Sequence, residues 1–407
     1  MSYPFLVEPE WLRNLSQRQP VVADLLTESV EEQRRRGYFH TLRELCQQPA
    51  TWLKTRDLML GESSRVARIV SGIFDLTLTG SGSSEYVGDC VRFALQNEMG
   101  IVTQVAGGGA VLAHGRNALP PGRPALMVSI ARSGDSPESA GALALLLRSD
   151  PEVRHLVLTC NASGRLARTY RDDARVAVIT LDEETNDQGL VMTSSFTNLV
   201  LAARFLGMPS ATDAYSSICE QLSKIASTFL QAHLGTLANV GKMPFQRALF
   251  LGSGARFGAA REAALKMLEM TAGRVTTMAE TYLGLRHGPM SYVHDDALVV
   301  CFLSSEPDLR AYEMDLVREL NRKELGLVKV IVGEKIPPDL LRDPDVAIDC
   351  PGLSDVGDEN APVIDVMAAQ ILAFFRCMEE KLRPDSPSED GVISRVVQTF
   401  TLHIPTD

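Results

Sequence analysis

The chain is short of the features that would place it in a membrane, at a metal centre or in an oxidising compartment. Among its 407 residues no apolar run approaches the roughly 18 needed to cross a bilayer as a helix. Its first residues, MSYPFLVEPEWLRN, lack a basic region followed by an apolar run, so no secretory leader is expected. Seven cysteines (46, 90, 160, 219, 301, 350 and 377) are scattered without a CxxC pair. An odd, dispersed set reads as reduced core thiols in a cytoplasmic protein. There is no HExxH, and His287 and His294 have no nearby cysteine, so no metal is expected. Basic residues are also scarce: 40 Lys and Arg against 51 Asp and Glu leave a net charge of −11. That balance argues against nonspecific nucleic-acid binding and against an anionic membrane surface. An anionic ligand would have to be held by local dipoles against the overall field.

What is present is ordinary globular composition, 45% apolar and 22% charged, at a length that suits two domains. Residues 1–70 read as mixed-charge amphipathic helices, a packing arm that contributes little chemistry. From about residue 73, β-rich runs alternate with helical stretches: FDLTL (74–78), IVTQV (101–105), ALMVSIA (125–131), HLVLTC (155–160) and VAVITL (176–181). The rhythm restarts with RALFLGSG (247–254), ALVVCFLSS (297–305), VKVIVG (328–333) and VAIDC (346–350). Near-continuous Val/Ile/Leu runs between helices indicate buried parallel strands. LTLTGSGSSEYVG and ALFLGSGARFGAA both read strand, Gly-Ser-Gly, helix, an internal echo of two tandem units. The expected fold is therefore α/β, with two doubly wound parallel sheets in tandem after an N-terminal helical arm. The expected divisions are residues 1–50 for the arm, 51–215 and 216–385 for the two units, and 386–407 for a tail that returns to the site.

Several motifs carry chemistry. Gly80-Ser81-Gly82-Ser83-Ser84 ends a strand and opens a helix, presenting free N–H groups and hydroxyls to an anion. It is neither G-x-G-x-x-G nor a Walker loop. Arg132-Ser133-Gly134-Asp135-Ser136-Pro137-Glu138-Ser139 repeats the arrangement, though Ser136 and Ser139 also fit a capping box. MTSSFT (192–197) is a third hydroxyl cluster, with Thr193 and Ser194 able to cap a helix instead. Two such turns in one sheet suggest a phosphate site at its carboxyl edge. In REAALKMLEM, Glu262, Lys266 and Glu269 share one helix face. The simplest reading is an exposed Glu262–Lys266 pair, with Glu269 partly desolvated and raised toward a useful base. His287 precedes Gly288 and Pro289, a turn that projects its ring from a loop.

Taken together, GSGSS, RSGDSPES, the ALKMLE helix and RHGP resemble sugar isomerase (SIS) domains in tandem. The pattern is most similar to the galactosamine-6-phosphate deaminase group, often labelled tagatose-6-phosphate ketose/aldose isomerases. The match runs through Arg132–Ser139, Met192–Phe196, Ala264–Gly273, Gly284–Pro289 and Asp385–Gln398, and covers roughly residues 40–407. The resemblance implies that Gly82, Ser83, Ser84, Arg132, Ser133, Gly134 and Ser136 hold a 6-phosphate, with Thr193 and Ser194 lining the same pocket. It implies that Glu269 moves a proton between C2 and C1, with Lys266 beside it in the catalytic group. His287 would open the sugar ring, contributed across the interface of a homodimer. Arg395 falls where the related aminotransferase half has a lysine. An always-protonated arginine cannot form an imine, so it reads as an electrostatic stabiliser of the enolate oxygen or the phosphate. No cofactor is implied. No processed cysteine terminus is present, so aminotransferase activity is not expected. The implied activity is deamination of a phosphorylated amino sugar, galactosamine 6-phosphate, to tagatose 6-phosphate. Plain ketose/aldose isomerisation and a sugar-phosphate sensor are the alternatives, and galacto or gluco configuration stays open.

Overall fold

Runs such as ALVVCF (297–302) lack polar alternation, which suits a strand covered on both faces. The computed structural model describes residues 19–388, 390–397 and 400–403. Its first sheet contains β1 (Asp75–Gly80), β2 (Val102–Gly107), β3 (Ala125–Ala131), β4 (Val153–Thr159) and β5 (Val176–Thr180). The second contains β6 (Arg247–Leu251), β7 (Thr276–Glu280), β8 (Ala297–Phe302), β9 (Val328–Gly333) and β10 (Val346–Asp349). The orders are β2-β1-β3-β4-β5 and β7-β6-β8-β9-β10, so one topology occurs twice, with every pairing parallel. In each sheet the chain reverses its direction of growth once, between β1 and β3 and between β6 and β8. A crevice forms there at the carboxyl edge.

Strand β7 was not among the runs expected from the sequence. TTMAE is polar and short, and it lies at the sheet edge with partly exposed residues, where no apolar run is required.

Side-chain alternation divides the interior. Leu76, Leu78, Leu126 and Val128 of the first sheet face the same core as Leu298, Val300 and Phe302 of the second. Their neighbours Ala125 and Met127 face a core on the first sheet's other side, and Val299 and Cys301 face one beyond the second. One continuous core thus lies between the sheets. It is filled by helices Ser83–Met99, Ala255–Met270 and Pro362–Glu379, the last buried over almost its whole length. All seven cysteines are buried, and none joins another in a disulfide. No helix among the described residues is long and apolar enough to cross a membrane.

The N-terminal helices enter this core rather than lying against it. Trp52 is fully buried and donates to Thr197 Oγ1 at 2.9 Å, while Thr55 Oγ1 donates to Asn198 Oδ1 at 2.7 Å. The divisions expected at 50/51 and 215/216 fall inside helices Gln48–Gly61 and Thr212–Gly241.

Helices Ala255–Met270 and Ser83–Met99 cross in backbone contact. A Cβ placed on Gly258 would lie 2.5 Å from Cys90 N and 2.7 Å from the Asp89 carbonyl carbon. Gly258→Ala is therefore expected to force the helices apart and cost about 1–3 kcal/mol. A denaturation midpoint equal to wild type would show that the crossing can relax.

Candidate active site

A cavity of about 760 Å³ opens at the carboxyl edge of the first sheet, where β1 and β3 diverge. Two turns form one end of it. After β1, Gly80 must lack a side chain, because a Cβ would sit 2.5 Å from the Ser84 carbonyl carbon. Gly82 takes φ +57°, a left-handed value that turns the chain into helix Ser83–Met99. After β3, Gly134 takes φ +67°, and Pro137 starts helix Pro137–Ser149. The expected capping box does not form: Ser136 Oγ donates to Ser139 Oγ at 2.8 Å, and neither helix has a side-chain cap. First-turn N–H groups of both helices thus remain uncapped beside Ser83, Ser84, Ser133 and Ser136, all of which line the cavity. Two aligned helix dipoles and four hydroxyls make an anion seat in an otherwise acidic protein.

The other end is charged and comes from the second unit. Lys266 and Glu269 project into the cavity from helix Ala255–Met270. Lys266 is 1% exposed and forms an ion pair with Glu269, while Glu262 lies 3.4 Å from its Nζ. The exposed pair expected from EAALK is therefore wrong, because this helix is covered by Ser83–Met99 on one side and Pro362–Glu379 on another. Burial raises the Glu262 carboxyl to about 8, against the opposing pull of Lys266. Burial alone would lower the Lys266 ammonium, but Glu262 and Glu269 hold it above its ordinary value. The fully desolvated carboxyl is thus Glu262. Glu269, with 23% of its side chain exposed, is the one that opens onto the cavity.

The tail closes a third side, with Gly391 to Val397 along the wall. Arg395 Nε donates to the Asp187 carbonyl at 2.7 Å, and Nη2 to Asn186 Oδ1 at 2.7 Å. Arg132 donates to the Leu190 carbonyl at 2.9 Å and to the carbonyl of Arg395. Burial, then the charge of Arg395, lowers the pKa of Arg132. The two guanidiniums thus clamp residues 186–190 and the tail together while lining the same cavity. Asp385 anchors the tail, accepting from His40 N at 3.1 Å and Thr41 N at 2.7 Å.

Thr193 and Ser194 do not line the cavity. Both are fully buried, with Ser194 Oγ donating to Asp187 Oδ1 at 2.5 Å and Thr193 Oγ1 to Glu44 Oε2 at 3.3 Å. Asp187 also accepts from Thr193 N and Ser195 N, each at 2.8 Å, so a carboxylate from the preceding loop caps helix Ser194–Arg204. His287 is exposed on the turn before Gly288 (φ +120°) and is not part of the cavity wall. Sequence reasoning missed Glu44, Asp187 and the cavity-lining Glu138. Only Asp187 left a signal, an acidic residue one short loop ahead of a helix start. Among the described residues, no cluster of His, Cys, Asp and Glu could hold a metal.

Known proteins place the chain firmly. A Streptomyces coelicolor relative is 36% identical over 378 residues, 90% of this chain and 96% of its own. A D-galactosamine-6-phosphate deaminase AgaS from Shewanella sp. is 32% identical, covering 92% and 94%. The chain belongs to the AgaS family. No family model matches it. The crystal structure of tagatose-6-phosphate ketose/aldose isomerase from Escherichia coli superposes with a TM-score of 0.78 at 29% identity, covering 87% of this chain and 95% of that one. A Clostridium novyi structure reaches 0.86 at 29% identity, covering 93% and 98%.

In this AgaS-family chain only one of the two Gly-Ser-Gly turns is open. Gly254 has φ +56° and ψ −126°, matching Gly82 at +57° and −128°. Two residues on, however, where the first turn has Ser84, the second has Arg256. That side chain is fully buried, donating to Asp365 at 2.6 and 2.8 Å and to the Leu303 carbonyl. The second crevice is filled from within.

Glu262 gives the site a stability signature. Its folded pKa lies above the unfolded value, so between about 4.5 and 8 the native state holds a proton that the unfolded chain has released. Stability from this group therefore falls as pH rises through that window. Glu262→Gln, which mimics the protonated form, is expected to fold and to lose less stability than wild type over the same range. Parallel stability–pH curves for the two proteins would contradict this assignment.

Proposed function

We propose that the protein is an amino sugar phosphate deaminase that converts galactosamine 6-phosphate and water to tagatose 6-phosphate and ammonia. The observation that carries the reading is the pairing, in one cavity, of a two-helix anion seat with the Glu269 carboxylate held by buried Lys266. The phosphate occupies the seat made by Gly82, Ser83, Ser84, Ser133, Gly134 and Ser136. Once the ring has opened, Glu269 takes the proton from C2 and returns it to C1, turning the 2-amino aldehyde into a 2-imino sugar. Water adds at C2, the C2–N bond breaks, and ammonia leaves with the ketose phosphate as the second product. Lys266 orients the Glu269 carboxylate, and Arg132 and Arg395 bring positive charge to the oxyanions that develop.

His287 opens the ring from the neighbouring subunit of a homodimer, acting in the cytoplasm. Its exposure outside its own chain's cavity supports that placement. The names of the AgaS relatives support deamination. The name of the Escherichia coli structure supports a second reading, isomerisation of a tagatose phosphate without loss of nitrogen.

Ammonia release from galactosamine 6-phosphate, with glucosamine 6-phosphate in parallel, separates the two. Glu269→Gln should lower kcat by about 10²–10⁴-fold while phosphate binding persists. Mixing Glu269→Gln with His287→Ala protein should restore part of the activity, because one mixed site then holds both intact groups. No ammonia from either amine would leave the isomerase and sensor readings. No recovery on mixing, with subunit exchange verified, would place His287 in its own chain's site.

A further inference from the structure

The opposite edge of the first sheet holds a second cavity, of about 590 Å³. It lies at the amino ends of β4 and β5, away from the catalytic crevice at their carboxyl ends. Arg65 and Arg68 reach it from helix Ser63–Val70, Arg154 from the start of β4, and Arg171 and Arg175 from the segment leading into β5. Two carboxylates, Asp172 and Asp173, face these five guanidiniums. In a chain of net charge −11 this is a local excess of positive charge.

Most of that charge is oriented without being neutralised. Arg154 Nη1 donates to the carbonyls of Ile69 and Ser71 at 3.0 and 2.6 Å. Arg171 Nη2 donates to the Ala162 carbonyl at 2.9 Å, and Arg65 Nη1 to the Val178 carbonyl at 2.9 Å. Arg175 is paired with Asp173 at 2.6 Å, and Arg65 has a looser contact to Glu62 at 3.4 Å. The second observation is His155 in the cavity wall. It is 1% exposed, and neither ring nitrogen has a hydrogen-bond partner among the described residues. A buried imidazole without a partner is a donor left unused beside a cluster of cations.

We propose that this cavity is a binding site for a small phosphate-bearing anion, separate from the catalytic seat. Guanidiniums match phosphate oxygens in bidentate fashion, and the imidazole N–H supplies a further donor. Ile69 and Val176 add apolar wall, enough for the carbon part of a phosphate ester to lie against. Burial, reinforced by Arg175, lowers the His155 pKa to about 4, so its ring reports an arriving anion by a change in protonation or in chemical shift.

The test is calorimetric titration of the full chain with inorganic phosphate, glucose 6-phosphate and a nucleoside triphosphate as separate probes. Wild type should take two phosphates per chain. Arg68→Ala/Arg175→Ala should take one and keep its ammonia-releasing activity, whereas Ser133→Ala/Ser136→Ala should keep the site at Arg175. In the latter protein, phosphate should shift the ring ¹⁵N resonances of His155, and the double arginine substitution should abolish the shift. Tighter binding of an ester than of inorganic phosphate assigns the site to a phosphorylated metabolite, and equal binding assigns it to the ion itself. An unchanged phosphate stoichiometry in the double arginine variant, or no phosphate-dependent shift of His155 in the serine variant, overturns the proposal. Because the readout is binding, failure here leaves the catalytic reading untouched, and the reverse also holds.

Discussion

The structure hangs on the contact between two helices, one from each unit, at a point where only glycine fits. With Gly258 against the backbone of Asp89 and Cys90, helix Ala255–Met270 lies close enough to helix Ser83–Met99 for its far end to overhang the first sheet's crevice. Lys266 and Glu269 belong to the second unit by sequence but to the first by position. A larger residue at the crossing would lift that end and carry Lys266 and Glu269 away from the serine-lined turns across the cavity. Duplication supplied two similar units. Their close packing is what makes one composite site from them.

Around the crossing, buried polar groups fix elements that have little apolar surface of their own. Glu44 accepts from Gln188 N at 2.5 Å and Gly189 N at 3.1 Å, and Asp187 binds the start of the next helix. Burial and the neighbouring Asp187 raise Glu44 to about 8, so near neutrality much of it carries a proton, which eases the repulsion between two adjacent carboxyls. This arrangement steadies residues 186–190, and those residues in turn hold Arg132 and Arg395. The N-terminal helices are thus coupled to the cavity through hydrogen bonds, although none of their described side chains lines it. The segment expected to act as a packing arm thus also sets the position of residues at the cavity.

Much of this was legible in the sequence because it rests on local requirements. A Gly-Ser-Gly after an apolar run can do little except turn a strand into a helix, and both such turns are where expected. The apolar runs gave nine of the ten strands, and the tenth, β7, hid because an edge strand needs no apolar run. What escaped depends on partners distant in sequence. EAALK carries no mark that helices from residues 83 and 362 will cover it. The hydroxyls of Thr193 and Ser194 look equally suited to a ligand or to a carboxylate, and Asp187 and Glu44 took them.

Arg256 alters what the duplication means. The two Gly-Ser-Gly turns share a backbone conformation, but the second carries its own permanent occupant. Substitutions at the two turns therefore have different consequences. A change at Ser84 alters the wall of an open cavity. A change at Arg256 strands Asp365 as a lone buried charge and threatens the helix Pro362–Glu379 that carries it. Of two turns with one backbone shape, the first is left open and the second is masonry.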